Sequence, residues 1–159
     1  MKKLRIYLDT SVIGGCFDQE FQEASVKLME MIRLDIFTGL ISNVTIEELE
    51  NAPERVRTSI TEFDNEQLVR LEQTAAVRSL ADAYLADHVV PIRYEDDALH
   101  VASATVHNAD MIVSWNFKHL VNFQRIQAFN AVNLKEGYGL IDIRTPQELI
   151  YGREKEKGF

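Results

Sequence analysis

Several common features of small proteins are missing from this sequence. It holds one cysteine, Cys16, among 159 residues, so no intramolecular disulfide can form and a reducing compartment suits the chain. No apolar run approaches membrane-spanning length. Met1-Lys2-Lys3 leads into a strand-like run broken by Asp9, not into an apolar leader, which points to a cytoplasmic protein. No repeat, low-complexity tract or linker divides the chain, so one domain is expected over 1–150, with a charged, frayed tail over 151–159. Positive charge is also scarce. Lys and Arg total 17 against 25 for Asp and Glu, a net charge of −8. That balance repels nucleic acid on average, though a local basic groove or a metal can reverse the field at one place.

What is present is an alternation of strand and helix. Strand-like runs cover 5–8, 36–42, 111–115 and 138–143, with 67–72 readable as a short strand or an extended linker. Helical spacing covers 23–34, 44–52, 53–63 with Pro53 near its start, 75–90, 95–109 and much of 123–136. Short, continuous apolar strands such as "MIVSW" belong in a sheet buried on both faces. The expected fold is therefore α/β, a short central parallel sheet flanked by helices in three layers.

The acids fall at telling positions on that scaffold. Asp9 ends the first strand, with Thr10 and Ser11 behind it. It can be read as a helix cap or as a ligand, because α/β sheets bind ions and small molecules beyond the carboxyl ends of their strands. Glu48 lies in the helix after the second strand. Asp97 sits in the first turn of the helix opened by "EDDALH", and Asn116 follows "MIVSW" directly. Carboxylates gathered at one edge raise one another's pKa unless a cation sits among them. Hard oxygen donors suit Mg²⁺ or Mn²⁺ rather than zinc. Cys16 has no neighbouring His to activate it as a nucleophile. His100, one turn beyond Asp97, reads as an ordinary helix histidine rather than a substrate contact, and Trp115 and Phe117 read as core rather than a base-stacking platform.

The stretches "YLDTSVI", "SNVTIEEL", "DDALHVASA" and "IVSWNFKHLVN" resemble, in order and spacing, the PIN domain, the fold of many metal-dependent ribonucleases. The resemblance runs from about Leu4 to "IRTPQEL". Stand-alone proteins of this size resemble VapC-type toxins, which cleave RNA and are held inactive by a small antitoxin. Carried over position by position, the resemblance makes Asp9, Glu48, Asp97 and Asn116 the catalytic set. Asp9 and Asp97 would hold Mg²⁺ or Mn²⁺, Glu48 would orient or deprotonate water, and Ser11 and Ser114 would position the acids. Asn116 departs from the family's commoner Asp and brings no charge. Arg93, Lys118, His119 and Arg125 are the basic residues expected to meet RNA, and a homo-oligomer, a dimer, is expected. The alternative within the same resemblance is a non-catalytic module that binds RNA or a protein. A haloacid-dehalogenase-like phosphatase would need a second Asp where Ser11 stands. A receiver domain would need paired acids in the opening strand, which shows none.

Overall fold

The computed structural model describes residues 2–157, with side chains described from 2 to 152. Its centre is a sheet of β1 (Arg5–Leu8), β2 (Thr38–Ser42), β3 (Leu68–Leu71), β4 (Met111–Val113) and β5 (Ile143–Arg144). All pairings are parallel, in the order β3-β2-β1-β4-β5. The order reverses direction beside β1, and the strand register carries Asp9 and Ser114 to the same edge, since Leu8 faces Val113 across the β1–β4 pair. Ser42, at the end of β2, reaches that edge as well.

The helices are α1 (Thr10–Gly15), α2 (Gln22–Arg33), α3 (Asn43–Glu50), α4 (Glu54–Ser59), α5 (Ala75–Ala86), α6 (Glu95–Val106), α7 (Phe123–Lys135) and α8 (Pro146–Lys157). Side chains alternate along each strand, so each sheet face receives its own core. Tyr7, Leu40 and Ile112 point to one face, where α5, α6 and α7 add Leu80, Tyr84, Val101 and Phe129. Ile6, Leu8, Ile41 and Val113 point to the other, against Val12, Leu28, Ile32, Val56 and Ile150 from α1, α2, α4 and α8.

Local signals set the boundaries. Thr74 and Asn122 cap α5 and α7 by accepting the N–H groups of Val77 and Arg125. Four helices stop at a left-handed residue: Asp35, His88, Asn108 and Gly137, with φ of 61°, 56°, 58° and 87°. The following residue in each case bonds back to a carbonyl five positions earlier, as Ile36 does to Met31. For this reason α5 ends at Ala86 and α6 at Val106, short of the expected 90 and 109.

One open reading is decided and two expectations are corrected. The segment 67–72 is a true strand, β3, at the sheet edge. The last strand falls at Ile143–Arg144 rather than 138–143. Asn130 accounts for the shift, because its side chain takes both the N–H and the C=O of Ile141 at 2.8 and 3.0 Å and withdraws that residue from the ladder. The charged tail is helical as far as Lys157, and positions 158–159 lie outside the described residues. The helix starts at a reciprocal cap in "TPQE": the Glu148 N–H donates to Thr145 Oγ1 at 3.1 Å, and the Thr145 N–H donates to Glu148 Oε1 at 3.3 Å. Pro146 sits at its first position, where no N–H is needed.

Candidate active site

Asp9 leaves β1 at the position that would cap α1, yet its side chain makes no capping bond. The carboxylate is 5% exposed and is held from the side. Ser11 Oγ and Ser114 Oγ both donate to Oδ2, at 2.8 and 2.7 Å. Oδ1 faces His100 Nε2 at 3.4 Å. The Asp9 side chain therefore does not act as a helix cap. Burying a carboxylate is costly without such partners, and two hydroxyls, Ser114 just after β4 and Ser11 in α1, supply them.

His100 was read from sequence as an ordinary helix residue. In the structure it is completely buried at the centre of the cluster. Its Nδ1 meets the Tyr7 hydroxyl at 2.6 Å, and Tyr7 reaches on to Ser42 Oγ at 2.8 Å. Its Nε2 bonds Glu48 Oε1, which also accepts from Thr10 Oγ1 at 2.8 Å. Burial, the largest single influence, opposes charge on the imidazole. The Tyr7 oxygen, the Glu48 hydrogen bond and the charges of Asp9 and Glu48 together outweigh it and hold the His100 pKa well above the ordinary value. Both ring nitrogens are thus engaged, one by the Tyr7 hydroxyl and one by the Glu48 carboxylate. Burial likewise works to raise Glu48, but the His100 hydrogen bond and charge and the Thr10 hydroxyl bring its carboxyl below the usual range.

One carboxylate oxygen each from Asp9 and Glu48 and one imidazole nitrogen of His100 lie within 4.8 Å of one another. Asp97, a turn before His100 on α6, stands just aside. Its Oδ2 accepts from His119 Nδ1 at 2.9 Å and its Oδ1 from Asn116 Nδ2 at 3.3 Å. Burial first, then the Asp9 charge, raises its pKa against the pull of His119. Asp9 and Asp97 therefore feel each other's charge. Asn116 fastens the turn after β4: its Oδ1 accepts the His119 N–H at 3.0 Å, and its own N–H donates to Ser114 Oγ at 2.9 Å.

The four positions expected at the site, Asp9, Glu48, Asp97 and Asn116, do gather at the carboxyl edge of the sheet. The closest cluster, however, joins Asp9 to Glu48 and His100, not to Asp97. The i, i+3 spacing of Asp97 and His100 puts both on one helix face; what the sequence does not show is that Tyr7 and Glu48 close on the ring from distant elements.

The basic residues divide. His119 is 3% exposed and is committed to Asp97, and Arg125 donates to the Val89 carbonyl. Arg93 and Lys118 are exposed and lie over the Tyr94 ring at 5.0 and 5.6 Å, with Tyr94 packed on His119 at 4.3 Å. They form a cationic rim beside the acids. Phe117, expected in the core, is 52% exposed, whereas Trp115 is buried.

The donor set suits a hard divalent cation, since mutually repelling carboxylates converge from three different elements. Fold and site together define an α/β protein with an acidic cluster at the carboxyl edge of a five-stranded parallel sheet. A family model for the PIN domain matches residues 5–118, and the chain belongs to that family. Among curated protein sequences none matches. Two solved structures share the fold at low identity. One is from VapBC2 of Rickettsia felis, bound to a DNA fragment from their promoter, with a TM-score of 0.57 and 17% identity over 89% of this chain and 98% of that one. The other is from FitAcB of Neisseria gonorrhoeae, with a TM-score of 0.56 and 16% identity over the same shares of each chain.

Proposed function

We propose that this protein is a metal-dependent endoribonuclease, the toxin of a toxin–antitoxin pair. The observation that carries the reading is the convergence of Asp9, Glu48 and His100 within 4.8 Å, with Asp97 beside them, at the edge of a PIN-fold sheet. Asp9 and Asp97 would hold Mg²⁺ or Mn²⁺, with Glu48 close enough to join them. Such an ion, when bound, lowers the pKa of water and offsets charge growing on phosphoryl oxygens.

The chain's own residues do the rest. Ser11 and Ser114 fix one oxygen of Asp9 and so aim the other into the site. Glu48, kept anionic by His100 and oriented by Thr10, is placed to take the proton of an attacking water. His119 and Asn116 orient Asp97. Arg93 and Lys118 meet the phosphates of the strand, countering locally the net charge of −8. The likeness in fold to VapBC2 and FitAcB supports a small antitoxin partner; the cytoplasm and a homodimer complete the reading as proposals.

A non-catalytic module has one observation in its favour: Asp97 is already satisfied by Asn116 and His119, and His100 already balances Asp9 and Glu48. Incubation of single-stranded RNA with the protein and Mn²⁺ separates the two. Cleavage should need the metal, and Asp9→Asn or Asp97→Asn should slow it about a hundredfold or more while far-UV circular dichroism stays unchanged. Cleavage that persists in EDTA, or in both variants, would remove the proposed site.

A further inference from the structure

Lined by none of the clustered acids, a cleft of about 630 Å³ lies between α2, α8 and the turn after β4. Its volume is that of a small-ligand site. Its back wall is rigid. The Trp115 indole stacks on Phe21 at 4.4 Å and 22°, and its Nε1 donates to buried Ser25 Oγ at 2.8 Å. Gly15 permits this approach, since a Cβ there would come within 2.6 Å of Ser25 Oγ and 3.0 Å of Trp115 Nε1. The mouth is aromatic and open: Phe117 is 52% exposed, its ring 6.3 Å from Trp115, and Tyr151 of α8 is 49% exposed.

We propose that this cleft receives an unpaired base of the RNA strand, an inference that rests on the nuclease reading and names a substrate subsite for it. Two observations choose this occupant. The first is continuity. The Trp115 N–H donates to Ser11 Oγ at 2.9 Å, and Ser11 donates in turn to Asp9, so the cleft wall and the site share one chain of hydrogen bonds. Lys118 of the cationic rim is the residue next to Phe117.

The second is charge. Glu20, Glu23 and Lys27 line the cleft; the two carboxylates outnumber the one cation and can accept from the exocyclic amines of adenine and cytosine. The backbone of the strand then runs along Lys118 and Arg93 while a base turns inward to stack on Phe117. Stacking of this kind needs a free base face, so single strands fit and duplexes do not.

Trp115 is the sole tryptophan, and its fluorescence reports the cleft directly. The full chain in EDTA, where no metal-dependent cleavage occurs, is titrated with short oligo-A, oligo-C and oligo-U and with duplex RNA. The single strands should quench Trp115 saturably, oligo-A and oligo-C more tightly than oligo-U, and the duplex should not. Phe117→Ala should weaken binding about 5- to 150-fold, and Phe117→Tyr should restore it. Binding seen by anisotropy without quenching, equal binding by Phe117→Ala, or equal quenching by the duplex would overturn the proposal. So would a cleft that answers only to a partner protein's peptide. Cleavage without quenching would sink the cleft and leave the nuclease standing, and quenching without cleavage would do the reverse.

Discussion

Replacing Tyr7 by Phe removes one oxygen from the centre of the protein and little else. The ring stays packed in β1, so the effect isolates the hydroxyl that joins Ser42 Oγ at 2.8 Å to His100 Nδ1 at 2.6 Å. Tyr7, Ser42 and His100 are at most 3% exposed, and removal of the hydroxyl leaves two polar atoms without their partner. A buried group stripped of its hydrogen bond costs about 1–3 kcal/mol. Ser42 can turn toward another partner, whereas the His100 ring, held by Glu48, cannot turn freely. The expected loss is therefore about 2–4 kcal/mol, or a melting temperature lower by about 4–16 °C for a chain of this length. Urea unfolding followed by far-UV circular dichroism measures the loss by linear extrapolation. Tyr151→Phe, at a half-exposed hydroxyl, serves as the control and should change little. A loss below about 0.5 kcal/mol, the range of ordinary surface changes, would mean that the Tyr7–His100 bond does not organise the site.

Protonation provides another test, through Glu48→Gln. The His100 pKa is raised above its ordinary 6.5 in the fold, so its contribution is full below that value and is lost as pH rises through the folded value. The Glu48 pKa is lowered from 4.5, so its contribution is full above that value and is lost as pH falls through the folded value. Without added metal, the melting-temperature advantage of the parent over Glu48→Gln should be largest between about pH 4.5 and 6.5 and shrink on either side; a difference flat across pH 3–9 would contradict the ion pair. Asn116→Asp should act in two directions. Losing the donor to Asp97 and adding a like charge beside it should lower the melting temperature of the metal-free protein, while Mn²⁺ should then raise it more than in the parent. The comparison is made at low salt with Asn116→Ala beside it, and an equal Mn²⁺ shift in all three proteins would place Asn116 away from the ion.

Much of the fold was legible because it is local or periodic. The apolar strands, the caps and the strand-to-acid junctions at Asp9 and Asn116 all lie within a few consecutive residues. The parallel sheet then follows from the alternation of element types, and the gathering of the acids at one edge follows from the sheet. The lost elements had local causes that look unremarkable in a sequence. "TPQE" opens α8 through a reciprocal cap, and Asn130 displaces β5 by binding Ile141, eleven positions away.

The site divides along the same line. Residue types and spacing determined that Asp9, Glu48 and Asp97 would share an edge, because parallel strands deliver their carboxyl ends together. Only the tertiary structure decided what each acid faces. His100 is one helix histidine among apolar neighbours until Tyr7, 93 positions earlier, and Glu48, 52 positions earlier, close on its two nitrogens and favour charge on the ring. His119 resembled a surface cation until Asp97 claimed it, and Phe117 resembled core until α8 left its ring open. A side chain's chemistry is written in the sequence, but its charge state and its partner depend on which distant groups share its burial.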